Sequence, residues 1–211
     1  TPPSGGCGWQ HAAPEAQLQW KAEVVADAMR RTAKMPAADV RVGGAVGPWN
    51  YRTTLRLAVA ADGRVGLRAA SSHRVVALAS CMVAHPALAE LLPHMRVEGA
   101  DEVSLRVSVA TGEATVWSPS PSVRFEGLPT HVAIGPEATL VERVAGADLR
   151  VSAASFFQSG PAAAELLVDA VRRACGDVLD GLRGPLLDAY GGIGLFAATL
   201  GAADNVVVES S

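Results

Sequence analysis

The residues best suited to chemistry lie late in the chain, in Leu187-Asp188-Ala189-Tyr190-Gly191-Gly192-Ile193-Gly194-Leu195-Phe196, with Glu209 following 17 positions after Gly192. Glycines at this density let the backbone turn sharply and approach a ligand where a Cβ would collide. An acidic residue at about that distance is suited to gripping a ribose diol. The dinucleotide fingerprint needs G-x-G-x-x-G, whereas the pattern here is Asp-x-aromatic-Gly-Gly-x-Gly. Asp188, just ahead of the glycines, suits the cationic amino-acid end of S-adenosylmethionine better than a pyrophosphate. A nicotinamide or nucleotide site, and a tight turn needed only for packing, are the competing readings.

Other reactive side chains give weaker patterns. His11, His73, His85, His94 and His131 show no metal-ligand spacing, and no metal site is expected. Cys7, Cys81 and Cys175 are far apart and odd in number, as in a cytoplasmic protein with reduced thiols. Arg52, Arg56, Arg68 and Arg74 lie on or beside one expected hairpin. They form a candidate phosphate-gripping face for RNA, against the alternative of an ordinary solvated sheet face.

These residues require elements to hold them. Leu18, Ala22, Val25 and Met29 form an apolar stripe in a helix from Pro14 to about Lys34, stopped by Pro36. Leu55, Leu57 and Val59 alternate, as do Val65, Leu67 and Ala69 after Asp62-Gly63. A three-residue loop, Asp62-Gly63-Arg64, would pair Leu57 with Ala69 and Val59 with Leu67, and leave Arg56 and Arg68 together on the other face. Further expectations are a strand at Val75–Leu78, a short helix at Pro86–Leu92, a hairpin turning at Thr111-Gly112, and strands near Val132–Ile134 and Leu149–Val151.

After about Arg150 the character changes. Ser159 is the expected N-cap of a helix whose stripe is Leu167, Val171, Ala174 and Val178. A buried strand at Pro185–Ala189, the glycine turn, a helix from about Leu195 and another buried strand at Val206–Val208 make a βαβ unit. The fold class expected is α/β. A mostly antiparallel central β-domain (1–12 and 46–150) precedes the first part of a Rossmann-like domain (151–211), with a helical segment (13–45) packing on the latter.

Nearly half of the 211 residues are apolar and 18% are charged, with a net charge of −3. A sizeable core is expected and wholesale disorder is not. The charge gives no overall nucleic-acid footprint. No apolar run reaches the roughly 18 residues of a membrane span, and no secretory signal opens the chain.

Several segments taken together resemble bacterial RNA (uracil-5-)-methyltransferases. Gly5-Gly6-Cys7-Gly8-Trp9-Gln10-His11 with Gln17-Leu18 and Lys21 looks like the start of that family's central region. Tyr51-Arg52, Val65-Gly66-Leu67-Arg68, Ser71-Ser72, Val75-Val76 and Cys81 resemble its β-domain. Phe156-Phe157-Gln158 and Leu187 to Gly194 resemble the entry to its methyltransferase domain.

The resemblance implies methyl transfer from S-adenosylmethionine to uracil C5 in tRNA or ribosomal RNA. It implies that Gln158, Tyr190 and Glu209 contact the cofactor, and that Gly191, Gly192 and Gly194 line the same pocket. Many members hold an iron–sulfur cluster on four cysteines. Cys7 and Cys81 match two of them, but Ser4 stands at a third position, so no cluster is expected in this chain, although a longer parent could carry one. The family's nucleophilic Cys and base Glu are expected beyond Ser211, so no catalytic residue is assigned and this piece alone is expected to be inactive. Alternatives are an RNA-binding protein without catalysis and, disfavoured by the glycine spacing, a nucleotide-linked oxidoreductase fragment.

Overall fold

The computed structural model describes residues 8–181, 184–201 and 204–209. In chain order the elements are α1 (Pro14–Arg31), β1 (Thr54–Val59), β2 (Val65–Arg68), β3 (Val75–Ala77), α2 (Pro86–Leu91), β4 (Arg96–Glu98), β5 (Glu102–Val107), β6 (Ala114–Trp117), β7 (Arg124–Glu126), β8 (Val132–Ile134), β9 (Thr139–Val144), β10 (Ala147–Ser152), α3 (Pro161–Cys175), α4 (Asp177–Asp180), β11 (Leu186–Ala189), α5 (Leu195–Thr199) and β12 (Asn205–Val208). It is a mixed α/β fold. No helix among the described residues is long and apolar enough to cross a membrane.

The first core follows from period-two alternation. β1 sends Leu55 and Leu57 to one face, where they pair across strands with Leu105 and Val103 of β5. Leu105 and Val107 in turn meet Val116 and Ala114 of β6. The six-stranded sheet runs β3-β2-β1-β5-β6-β8, antiparallel except where β6 and β8 run parallel. Helix α2 starts at Pro86, capped by the His85 ring accepting from the Ala87 amide at 3.4 Å, and buries Leu88 and Leu91 in this core.

The second core gathers Leu140, Val144, Leu149 and Val151 of the β9–β10 hairpin with Phe157, Ala164 and Val168 of α3, and Leu195 of α5. Burying each of its leucines contributes on the order of 1.5–3 kcal/mol. β9 lies before position 150 and β10 spans it, and both strands pack in this second core.

Several sequence expectations are corrected. The β1–β2 register pairs Ala58 with Gly66 and Val59 with Val65, a shift of two residues from the one expected. Gly63 takes φ +76° and Ala60 accepts the role of last paired residue, its amide donating to Arg64. The loop is thus Ala61-Asp62-Gly63, with glycine at the left-handed position of a three-residue hairpin loop. A slip of two keeps every side chain on its expected face.

The N-cap of α3 is Gly160 rather than Ser159, because Pro161 occupies the first helical position. The buried positions of α3 are Ala164 and Val168, while Leu167 is exposed. Val178 is exposed because the chain leaves the helix at Gly176, φ +42°. Helix α1 forms as expected but buries none of its residues. Residues 43 and 44 come close to α3, where a Cβ would stand 3.8 Å from Arg173 Nη2 at Gly43 and 2.8 Å from Leu166 Cδ2 at Gly44.

Candidate cofactor site and nucleic-acid face

β11 and β12 run parallel, with Leu186 beside Asn205 and Ala189 beside Val208. Parallel neighbours need a crossover, and the glycine turn with α5 provides it. Tyr190, Gly192 and Gly194 have φ of 64°, 54° and 79°, backbone conformations that favour glycine and strain tyrosine. A Cβ on Gly191 would lie 2.6 Å from Val207 Cγ1 and 3.1 Å from the Asp188 carboxyl, so the turn presses directly on β12. A Cβ on Gly192 or Gly194 would meet nothing within 4 Å. That side of the turn is open.

Glu209 follows β12 directly, and its Oε2 accepts the Gly192 amide at 2.7 Å. Half-buried Asp188 uses Oδ2 to accept the Ala197 amide at 3.2 Å, in the first turn of α5. Asp188, Gly191, Gly192, Gly194 and Glu209 are therefore brought together. Tyr190 stands on the same turn with 86% of its surface exposed, so it does not fill the core between strand and helix. Gln158 is half-buried on the segment between β10 and α3. Its neighbour Phe157 packs in the second core with Leu195 and Ile193, which flank Gly194.

Two carboxylates beside an open glycine turn favour a ligand that presents hydroxyl or ammonium hydrogens, and they repel a pyrophosphate. The open side over Gly192 and Gly194 leaves room for such a ligand, and the residues fit S-adenosylmethionine on these grounds. The iron–sulfur group fares differently. Cys81 is half-buried against the first core, Cys175 ends α3, and Cys7 lies outside the described residues. A cluster needs a complete thiolate set. Among the described residues no group of three or more His, Cys, Asp or Glu could hold a metal ion.

The four arginines meet different fates. Arg56 donates through Nε to Glu102 at 2.8 Å, across the β1–β5 pair, so its charge is partly answered. Arg68 and Arg74 are exposed at the β2–β3 hairpin, where Arg68 pairs with Val75. Arg52 is exposed, with its guanidinium carbon 5.8 Å from the Tyr51 ring centroid. Carried back two residues from the Ala58–Gly66 pair, the register sets Arg56 across from Arg68.

Sequence reasoning passed over two buried charges, Glu142 and Arg106, which are 2% and 4% exposed. Glu142 on β9 accepts the amides of Val109 at 2.9 Å, Ala110 at 3.1 Å and Arg143 at 3.1 Å. The Ser108 hydroxyl donates to the Val141 carbonyl at 2.6 Å. Together these contacts dock β9 on the β5–β6 turn.

No protein-family model matches the chain. An uncharacterized RNA methyltransferase of Streptomyces avermitilis is 33% identical over 225 aligned positions, taking in 93% of this chain and 51% of the relative. One of Streptomyces coelicolor is also 33% identical, over 96% of this chain and 49% of the relative. The 23S rRNA (uracil(1939)-C(5))-methyltransferase of Methylococcus capsulatus is 35% identical over 59% of this chain and 29% of the relative. In fold, the chain is similar to the Pyrococcus abyssi tRNA (uracil-54, C5)-methyltransferase, solved in complex with S-adenosyl-L-homocysteine. The TM-score is 0.60 at 22% identity, over 95% of this chain and 57% of the other. The chain spans about half the length of the curated relatives it matches.

Proposed function

We propose that this chain, which belongs to the RNA methyltransferase family of these relatives, binds S-adenosylmethionine at its glycine turn and serves 5-methyluridine formation in RNA. The observation that carries the reading is the convergence of Glu209, Asp188 and the open faces of Gly192 and Gly194 on one turn. Glu209 would accept the ribose hydroxyls, exchanging its bond to Gly192 for stronger two-point contact. Asp188 keeps α5 in place and lends negative charge to the cofactor's cationic end. Gln158 and Tyr190 would border the pocket. When bound, S-adenosylmethionine supplies an activated methyl group.

The βαβ unit with the second core would form the start of a Rossmann-like domain, and the first core the RNA-binding domain. Arg52, Arg68 and Arg74 would contact phosphates, with Arg56 secondary because Glu102 already engages it. An enzyme that modifies a base must take it out of the stack, which phosphate contacts alone do not achieve. Activation of uracil requires a covalent nucleophile and a general base. Cys81 packs against the first core and Cys175 ends α3, and no residue of this chain is assigned to the chemical step.

The test is methylation of unmodified tRNA and 23S rRNA transcripts by the full-length polypeptide with S-adenosylmethionine, read by nucleoside mass spectrometry. The expected product is 5-methyluridine. A methylated base other than uracil, or methylation at the ribose, would contradict the substrate reading.

A further inference from the structure

We infer that Arg106 is a positioning residue that latches the Ser155–Ser159 segment, and with it Gln158, onto the central sheet. The role given to Gln158 rests on the cofactor reading above; the latch itself rests on geometry alone.

Arg106 lies on β5, flanked in register by Thr54 of β1 and Thr115 of β6. Buried Leu105 and Val107 on either side face the first core, so alternation sends Arg106 to the opposite face. An arginine there ordinarily sits in water. This one is buried because the segment after β10 crosses that face, and its Nη2 donates to the Ser155 carbonyl at 2.6 Å. Nε and Nη1, together with the Thr54 and Thr115 hydroxyls, are buried without a hydrogen-bond partner among the described residues. Burial pulls the guanidinium down to about 10.

Such a side chain is a poor investment for stability alone. Unsatisfied buried donors carry a desolvation cost, and an apolar replacement of similar length removes it. What Arg106 supplies is one charge-assisted hydrogen bond to one carbonyl. That carbonyl opens the run Ser155-Phe156-Phe157-Gln158. The far end of the run is held by the Thr53 amide, which donates to the Ser159 carbonyl at 2.8 Å. Gly160 then passes so near Tyr51 that a Cβ would stand 2.4 Å from the Tyr51 carbonyl oxygen. In between, Phe157 is seated in the second core near the glycine turn. The segment therefore links the second core to the face of the sheet opposite the first core, and Arg106 is the side chain that ties its start to that sheet.

The test compares wild type, Arg106→Met and Thr115→Val in the full chain, by amide hydrogen exchange, thermal melting and S-adenosylhomocysteine calorimetry. In Arg106→Met, exchange at residues 155–159 should quicken about tenfold or more, as loss of a charged hydrogen bond implies. Its melting temperature should hold or rise, and S-adenosylhomocysteine affinity should fall about tenfold. Thr115→Val deletes an unpartnered hydroxyl without touching the latch, and should match wild type in exchange and affinity. Exchange within twofold of wild type in Arg106→Met would overturn the latch. Faster exchange with unchanged affinity would overturn the positioning role. A large fall in melting temperature, or equal effects from Thr115→Val, would make Arg106 a residue of the fold instead. If wild type itself binds no S-adenosylhomocysteine, the cofactor reading fails, and exchange and melting alone decide the latch.

Discussion

Replacing Glu142 should loosen the whole molecule by an amount the geometry sets. Its two carboxylate oxygens take three amides, two from the β5–β6 turn and one from its own strand. Removing the acceptor in Glu142→Ala strands all three, at about 1–3 kcal/mol for each buried donor left unmade. Val109 and Ala110 are themselves exposed, so water can reach their amides once the side chain is gone. The cost should accordingly fall near the low end, at about 3 kcal/mol in total. For a domain of this size that is a fall in melting temperature of roughly 6–12 °C. Glu142→Gln keeps the shape but turns an NH2 group toward an amide, and should lose roughly half as much. Differential scanning calorimetry at neutral pH reads both. A Glu142→Ala melting temperature within 1–2 °C of wild type would refute the reasoning, as would a Gln variant less stable than the Ala variant.

Two other perturbations are informative. At the glycine turn, Gly191→Ala should destabilise more than Gly192→Ala in thermal melts. The first drives a Cβ onto Val207, whereas the second meets open space and carries only left-handed strain of about 1–2 kcal/mol; the reverse order would contradict the geometry. On the arginine face, Arg68→Ala should weaken RNA binding across sequences and lower the slope of affinity against salt by about one. Arg56→Ala should do less, because Glu102 already engages that guanidinium, and filter binding over a salt series would expose an equal or larger effect.

The elements that the sequence discloses are those whose inward positions are all apolar. Leu55-Leu57 and Val103-Leu105-Val107 alternate without interruption, and the β1 and β5 strands lie where that pattern puts them. The βαβ unit is legible from its short apolar runs and from the glycines that mark its turn, but those runs suggest buried strands, whereas Leu187 and Val206 to Val208 are exposed. β9 is not, because its inward residues are Leu140, Glu142 and Val144. A charge in the middle of the row breaks the pattern that signals a strand. Arg106 misleads in the same way: alternation assigns it to solvent, and nothing local says that a segment some 50 residues later covers it. β4 and β7 are three residues each and make a two-stranded sheet of their own, too short for any periodicity to emerge. At the site, the glycine spacing foretells an open turn, but it does not disclose that Asp188 also braces α5. That bond depends on where the helix begins, which no single residue in the motif specifies.

A ribose-bearing cofactor is proposed to sit on the Gly192–Glu209 turn. Isothermal titration of S-adenosylhomocysteine into the full-length polypeptide, wild type and Glu209→Ala, tests it most directly, with NAD as the competing ligand. Glu209 is exposed, so water can take over its bond to the Gly192 amide, and its removal should lower the melting temperature by only a few degrees. Loss of charge-assisted hydrogen bonds worth about 1.5–3 kcal/mol should weaken binding about 10- to 150-fold. Wild type should bind S-adenosylhomocysteine, Glu209→Ala should show that loss, and NAD should give no heat. Equal affinity in the two proteins, or preference for NAD, would contradict the proposal.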